Sequence, residues 1–225
     1  MKPNSLLPAA AIFDMDGVLI DSNPFHIEKW AELLRAHGIP YNAEDLPKQI
    51  LGYRNDAAFR LFFGSQLDGD KMERLNEELE ARFRSVFRQH ARPLPGLKAL
   101  MDECRAAAIP MAVASSAMTK NVDFVLDVLE LRPYFTIIVS GDEVSRAKPD
   151  PEIYLKTAKK LKLAAAECVA FEDSFVGIES AKRAAIKCVG IASTFPAEEL
   201  QKQTPADLVV SGFEDLSLAR LRALF

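Results

Sequence analysis

The run Ala9-Ala10-Ala11-Ile12-Phe13-Asp14-Met15-Asp16-Gly17-Val18 sets two carboxylates at the rim of a short apolar stretch that reads as a buried strand. In an extended chain residues i and i+2 point to the same side, so Asp14 and Asp16 repel each other unless a cation or a shared proton intervenes. That geometry suits a magnesium site with a carboxylate nucleophile. Gly17 lets the chain turn sharply away, leaving the carboxyl end of the strand open to a ligand. The plainer reading is a turn, because Asp and Gly are common turn residues. The choice depends on whether other strand ends supply phosphate donors, a lysine and a second acidic pair.

From about Pro93 onward, short extended segments alternate with helical ones. Extended segments are expected at Pro110–Ala114, Thr136–Ser140, Cys168–Phe171, Cys188–Ala192 and Leu208–Val210. Helices are expected at Gly96–Ala107, Lys120–Leu129, Pro151–Leu161, Val176–Ala185 and Ala197–Gln203. Such alternation with short connections predicts an α/β fold, a parallel sheet with helices on both faces. The stretch from Asn23 to Arg92 breaks the rhythm with helical patterns only. Pro24 starts one helix running through Trp30 to Ala36, and Asp70 to Gln89 is a long amphipathic pattern with Leu75, Leu79, Phe83 and Phe87 at helical spacing, suited to a small helical core. The expected division is a Rossmann-like core of residues 1–22 and 93–225 with an inserted all-α cap of residues 23–92. The return through Arg92-Pro93-Leu94-Pro95-Gly96 is stiff and turn-prone, so both connections fall close together and could hinge.

Composition narrows the function classes. With 225 residues and 49% hydrophobic content, a sizeable core is within reach. A net charge of −4 without a basic stripe argues against nucleic acid as the main partner. No apolar run approaches a membrane span and no signal peptide is indicated, which makes a cytoplasmic location the expectation. Cys104, Cys168 and Cys188 are widely spaced in apolar surroundings and read as buried free thiols.

The strand ends do supply the missing chemistry. Ser115 and Ser116 follow one strand and could bind phosphate oxygens, although serine there is also a common helix cap. Lys148-Pro149-Asp150-Pro151 sets a lysine on an extended backbone, either solvated or aimed at the carboxylates, where its charge would matter most. Glu172-Asp173-Ser174 closes another strand. Two acidic pairs at two strand ends are the hard-oxygen shell expected of magnesium.

The ordered set Asp14-Met15-Asp16-Gly17-Val18, Ser115, Lys148-Pro149 and Glu172-Asp173 resembles the haloacid dehalogenase superfamily. Phe171-Glu172-Asp173-Ser174 with Gly177-Ile178, Ala181-Lys182 and Val189-Gly190-Ile191 resembles its subgroup of β-phosphoglucomutase and small phosphatases with a helical cap. The resemblance implies Asp14 as nucleophile forming an aspartyl phosphate, and Asp16 as acid and base. It implies magnesium held by Asp14, the Asp16 carbonyl and Asp173, with Glu172 acting at one remove. Ser115, Ser116 and Lys148 would bind phosphoryl oxygens. In the cap, His26 and Arg54 are the candidate substrate contacts; His26 reads equally as a surface histidine.

The expected function is hydrolysis of a small phosphorylated metabolite, a sugar phosphate or similar, with a phosphomutase as the alternative. A dehalogenase would not need Asp16, Glu172 and Asp173 together, and a silent binding scaffold would not need every catalytic position filled. Two departures stand out. Ala185 occupies a position usually held by glycine, which implies a different helix ending. No cap lysine is evident among residues 79–83, which favours release of phosphate to water over its return to a sugar.

Overall fold

The computed structural model describes residues 7–64 and 67–225, so the first residues of the expected 1–22 segment lie outside it. Six strands form one wholly parallel sheet: β1 (Ala10–Phe13), β2 (Met111–Ala114), β3 (Phe135–Val139), β4 (Cys168–Glu172), β5 (Lys187–Ile191) and β6 (Leu208–Val210). Their order is β3-β2-β1-β4-β5-β6. The chain moves outward from β1 on one side, then returns to continue on the other, so β1 sits where the order reverses. Crevices open at that point, beyond the carboxyl ends of the strands, and ligands bind there in open α/β sheets.

The apolar run before Asp14 follows from burial on both faces. Ala11 and Phe13 pack into the layer on one side of the sheet, and Ala10 and Ile12 into the layer on the other. Phe13 stacks on Phe171 of the neighbouring strand with ring centroids 4.6 Å apart. Burying such a ring contributes about 2–3 kcal/mol, and here it also locks the register of the two acidic strand ends, with Phe13 opposite Phe171.

Between β1 and the rest of the sheet lie α1 (Asn23–Ala36), α2 (Leu46–Ile50), α3 (Asn55–Phe63) and α4 (Gly69–Phe87). Then follow α5 (Leu97–Ala106), α6 (Thr119–Val128), α7 (Glu152–Leu161), α8 (Phe175–Arg183), α9 (Ala197–Gln203) and α10 (Leu218–Arg222). The sheet elements fall within one or two residues of the expected spans. The short helices α2, α3 and α10 had no individual sequence signature, because five to nine residues carry too little periodicity to separate helix from loop. Leu79, Phe83 and Phe87 are buried as expected, but Phe83 and Phe87 join the apolar layer that contains Phe13 and Leu19. The inserted helices therefore do not keep a core wholly to themselves.

The expected different ending at Ala185 is corrected. The residue adopts the left-handed conformation, φ 61°, that glycine would favour. Its amide donates to the Lys182 carbonyl and the Ile186 amide reaches back to Ala181. The helix thus closes in the usual left-handed way and bears a steric cost of about 1–2 kcal/mol. The three cysteines are free and buried, as expected. Among the described residues, no helix is long and apolar enough to cross a membrane.

Candidate active site

Four strand ends and one loop converge on a single carboxylate cluster. Asp14 leaves β1, Glu172 and Asp173 leave β4, and ligand oxygens from the three lie within 4.8 Å of one another. All three are buried. Lys148 enters from the loop before α7, and its ammonium donates to Asp14 Oδ1 at 2.9 Å, to Glu172 Oε1 at 2.6 Å and to the Ala114 carbonyl at 3.1 Å. Tyr154 of α7 donates its hydroxyl to the same Glu172 oxygen at 2.5 Å. All three protons of the lysine are therefore committed to protein oxygens, and it is 2% exposed. It is aimed at the cluster rather than solvated.

Three negative groups share that one cation. Burial pushes Asp14 up to about 7, opposed by Lys148 and reinforced by Glu172 and Asp16. Burial likewise drives Asp173 well above the usual carboxylate range, with Asp14 and Glu172 adding to it, while the Thr194 hydroxyl and Lys148 oppose. Lys148 loses charge stability to burial, but Asp14 and Glu172 more than restore it, so it stays protonated. Among the described residues, Glu172 Oε2 is a buried oxygen with no hydrogen-bond partner. A hard divalent cation fits this donor set, since carboxylate oxygens are its preferred ligands and its charge would relieve the repulsion.

Close approach is enforced by glycine. Gly17 has φ +74°, and a Cβ there would lie 1.9 Å from Asp173 Oδ2. The turn after β1 can press against the β4 carboxylate only because that Cβ is missing. Asp173 Oδ2 accepts from Asn23 Nδ2 at 2.8 Å and from the Thr194 hydroxyl. Asn23 and Thr194 are also bonded to each other, at 2.6 Å. These two residues escaped the sequence reading. Thr194 carries the same signal as Ser115, a hydroxyl just past a strand end, and was open to detection.

Asp16 is held apart from the cluster. Ser22 donates to its Oδ1 at 2.5 Å, and the His26 ring nitrogen Nε2 lies 3.0 Å from the same atom. Burial pushes the Asp16 carboxyl up, but His26, the Ser22 hydroxyl and Lys29 outweigh it and hold the group below its usual range. His26 is in turn stacked on Phe83 of α4, 4.4 Å between ring centroids. The structure thus places this histidine inside the site and gives Phe83 a positioning task beyond packing.

The remaining candidates divide. Ser115 is buried at the end of β2, where its hydroxyl accepts the Ala117 amide at 3.1 Å. Ser116 instead donates to the Gly52 carbonyl at 2.8 Å, tying the inserted segment to β2. Arg54 grips Asp56 through two bonds of 2.8 and 3.0 Å and donates to the carbonyls of Gly141 and Val144. It straps the inserted segment to the loop after β3. A cavity of about 360 Å³ opens above Asp14 and Asp16 and is lined by His26, Arg54, Ser115 and Ser116 among others.

The chain is 33% identical over 178 residues to a phosphorylated carbohydrates phosphatase of Thermotoga maritima, covering 79% of this chain and 82% of that one. It is 29% identical over 212 residues to hexitol phosphatase B of Escherichia coli, covering 92% and 94%. A crystal structure of β-phosphoglucomutase from Clostridium difficile superposes with a TM-score of 0.85 at 26% identity, covering 97% of both chains. Residues 11–191, which run from β1 through β5 and include every member of the carboxylate cluster, match the sequence model of one family. The chain belongs to the haloacid dehalogenase-like hydrolases.

Proposed function

We propose that the protein is a magnesium-dependent phosphatase of small phosphorylated metabolites, sugar phosphates among them, acting through an aspartyl phosphate on Asp14. The observation that carries this reading is the buried set of Asp14, Glu172 and Asp173 around Lys148, with Asp14 lining a cavity. The named relatives act on phosphorylated carbohydrates and hexitol phosphates, which supports the substrate class. Residues 23–92 would serve as the cap that closes the cavity.

In this scheme Asp14, oriented by Lys148, attacks phosphorus and displaces the alcohol. Asp14, Asp173 and the Asp16 carbonyl would hold magnesium, with Glu172 acting from behind through Lys148. When bound, the ion offsets the repulsion between a carboxylate and a phosphate dianion. Asp16 protonates the leaving oxygen and then deprotonates the water that releases phosphate. Asp16 rests below the usual carboxylate range, and the negative charge of a substrate beside it would raise it toward the protonated form that the acid step needs. His26 and Ser22 hold it in place until then.

The mutase alternative calls for a cation in the cap to capture a second phosphate. In the segment 23–92, Lys29 and Arg54 are paired with Glu80 and Asp56, and Lys120 of α6 is paired with Glu77. Hydrolysis is therefore the reading to test. An aryl phosphate should turn over with magnesium, fall at least about 100-fold after chelation, equivalent to about 2.7 kcal/mol of barrier, and recover when magnesium is restored. Turnover indifferent to chelation would contradict the proposal.

A further inference from the structure

The part of the cavity remote from Asp14 has an unequal charge balance. Arg54 is the lysine or arginine among its lining residues. Four of its five N–H donors are engaged: Nε and one on Nη2 with Asp56, and both on Nη1 with the carbonyls of Gly141 and Val144. Asp56 also takes Arg60 from the outer side at 3.0 Å. Lys29 lies behind the wall, 2.6 Å from Glu80, and that carboxylate is completed by Asn55 and Asn121. Lys120 points to Glu77 on the surface. Each cation that could have met a second anion is already neutralised.

Two further carboxylates, Glu73 and Asp142, line the cavity without a salt-bridge partner among the described residues. Asp142 accepts the Thr119 amide at 2.7 Å and lies within electrostatic reach of Arg54, whose charge Asp56 already shares. Neutral amides line the cavity as well. Asn55 and Asn76 both face the cavity and are joined by one hydrogen bond of 2.8 Å, which leaves the Asn55 oxygen and the Asn76 nitrogen as an acceptor and a donor for hydroxyl groups. An anion entering here would gain no free cation, and the exposed carboxylates of Glu73 and Asp142 would face it.

Resting on the phosphatase reading above, we infer that the enzyme selects phosphomonoesters whose alcohol portion is an uncharged polyol or carries an amine, and discriminates against those bearing a carboxylate or a second phosphate. Specificity then comes from repulsion as well as fit. Glu73 and Asp142 are the specificity-determining residues, and the amides of Asn55 and Asn76 read hydroxyls.

The test compares kcat/KM for sorbitol 6-phosphate, glucosamine 6-phosphate, 6-phosphogluconate and fructose 1,6-bisphosphate with magnesium present. Each value is divided by the same protein's value for an aryl phosphate, which reports the chemistry at Asp14 without a charged tail. The neutral and aminated substrates should exceed the two anionic ones by tenfold or more. In the double variant Glu73→Gln, Asp142→Asn that preference should shrink at least threefold. A preference under tenfold, or one unmoved by the double variant, overturns the inference while the phosphatase reading stands. Absence of magnesium-dependent aryl phosphate turnover overturns both.

Discussion

Asp14→Asn is expected to lower turnover of any phosphomonoester by at least about 10⁴-fold, about 5.5 kcal/mol of barrier, while the protein stays folded. The amide keeps the shape of the carboxyl but cannot act as a nucleophile toward phosphorus. Stability has its own sign. Burial raises the Asp14 carboxyl in the folded state to about 7, so the fold binds a proton there that the unfolded chain releases near 4. The wild-type group therefore costs stability as pH rises from about 4 through about 7. In metal-free protein the variant should escape that loss, partly offset by its weaker bond to Lys148. Steady-state kinetics and denaturant unfolding at pH 5 and pH 8 check both halves. Residual activity above about 1%, a loss under about 2.7 kcal/mol, would remove Asp14 as nucleophile.

Lys148→Met should strike the fold as well as the chemistry. The ammonium is the cation bonded directly to Asp14 and Glu172, and both side chains are buried. Removing one partner of a buried ion pair costs about 3–5 kcal/mol, since the remaining charge is left uncompensated. Turnover should fall about 10³-fold or more as Asp14 loses its orienting bond, roughly 4 kcal/mol of barrier. The stability deficit should shrink as pH falls, because Asp14 and Asp173 already favour the protonated form. It should also shrink when magnesium is added. Urea midpoints across pH 5 to 8, with and without the ion, measure this; a deficit independent of both would place the role of Lys148 outside the cluster.

Much of this was legible in the chain because function here rides on strand ends. Asp14, Glu172-Asp173 and Ser115 each follow a short apolar run, and an apolar run that ends in charge marks the boundary between core and crevice. The alternation after Pro93 translated directly into β2 through β6. Legibility stopped where a role depends on residues far apart in sequence. Asn23 meets Asp173 across 150 positions. Glu80 gathers Lys29, Asn55 and Asn121 from three different elements. No local pattern announces such a meeting.

Arg54 shows a different limit. An arginine in the inserted segment invites a substrate-binding role, yet Asp56 two residues on captures it in a two-bonded pair. Ser116 was read beside Ser115 as a phosphate ligand, and its hydroxyl is bonded to the inserted segment instead. Ala185 shows that a missing glycine need not change a helix ending, since tertiary packing carries a non-glycine residue into the left-handed region at modest cost.

The account rests on phosphoryl transfer to Asp14, and the configuration at phosphorus tests it most directly. Two successive in-line displacements, one by Asp14 and one by water, each invert the centre. A substrate made chiral at phosphorus with oxygen isotopes, transferred to an added alcohol acceptor in place of water, should give a product with configuration retained. Inversion would mean a single direct displacement and would contradict the covalent role of Asp14.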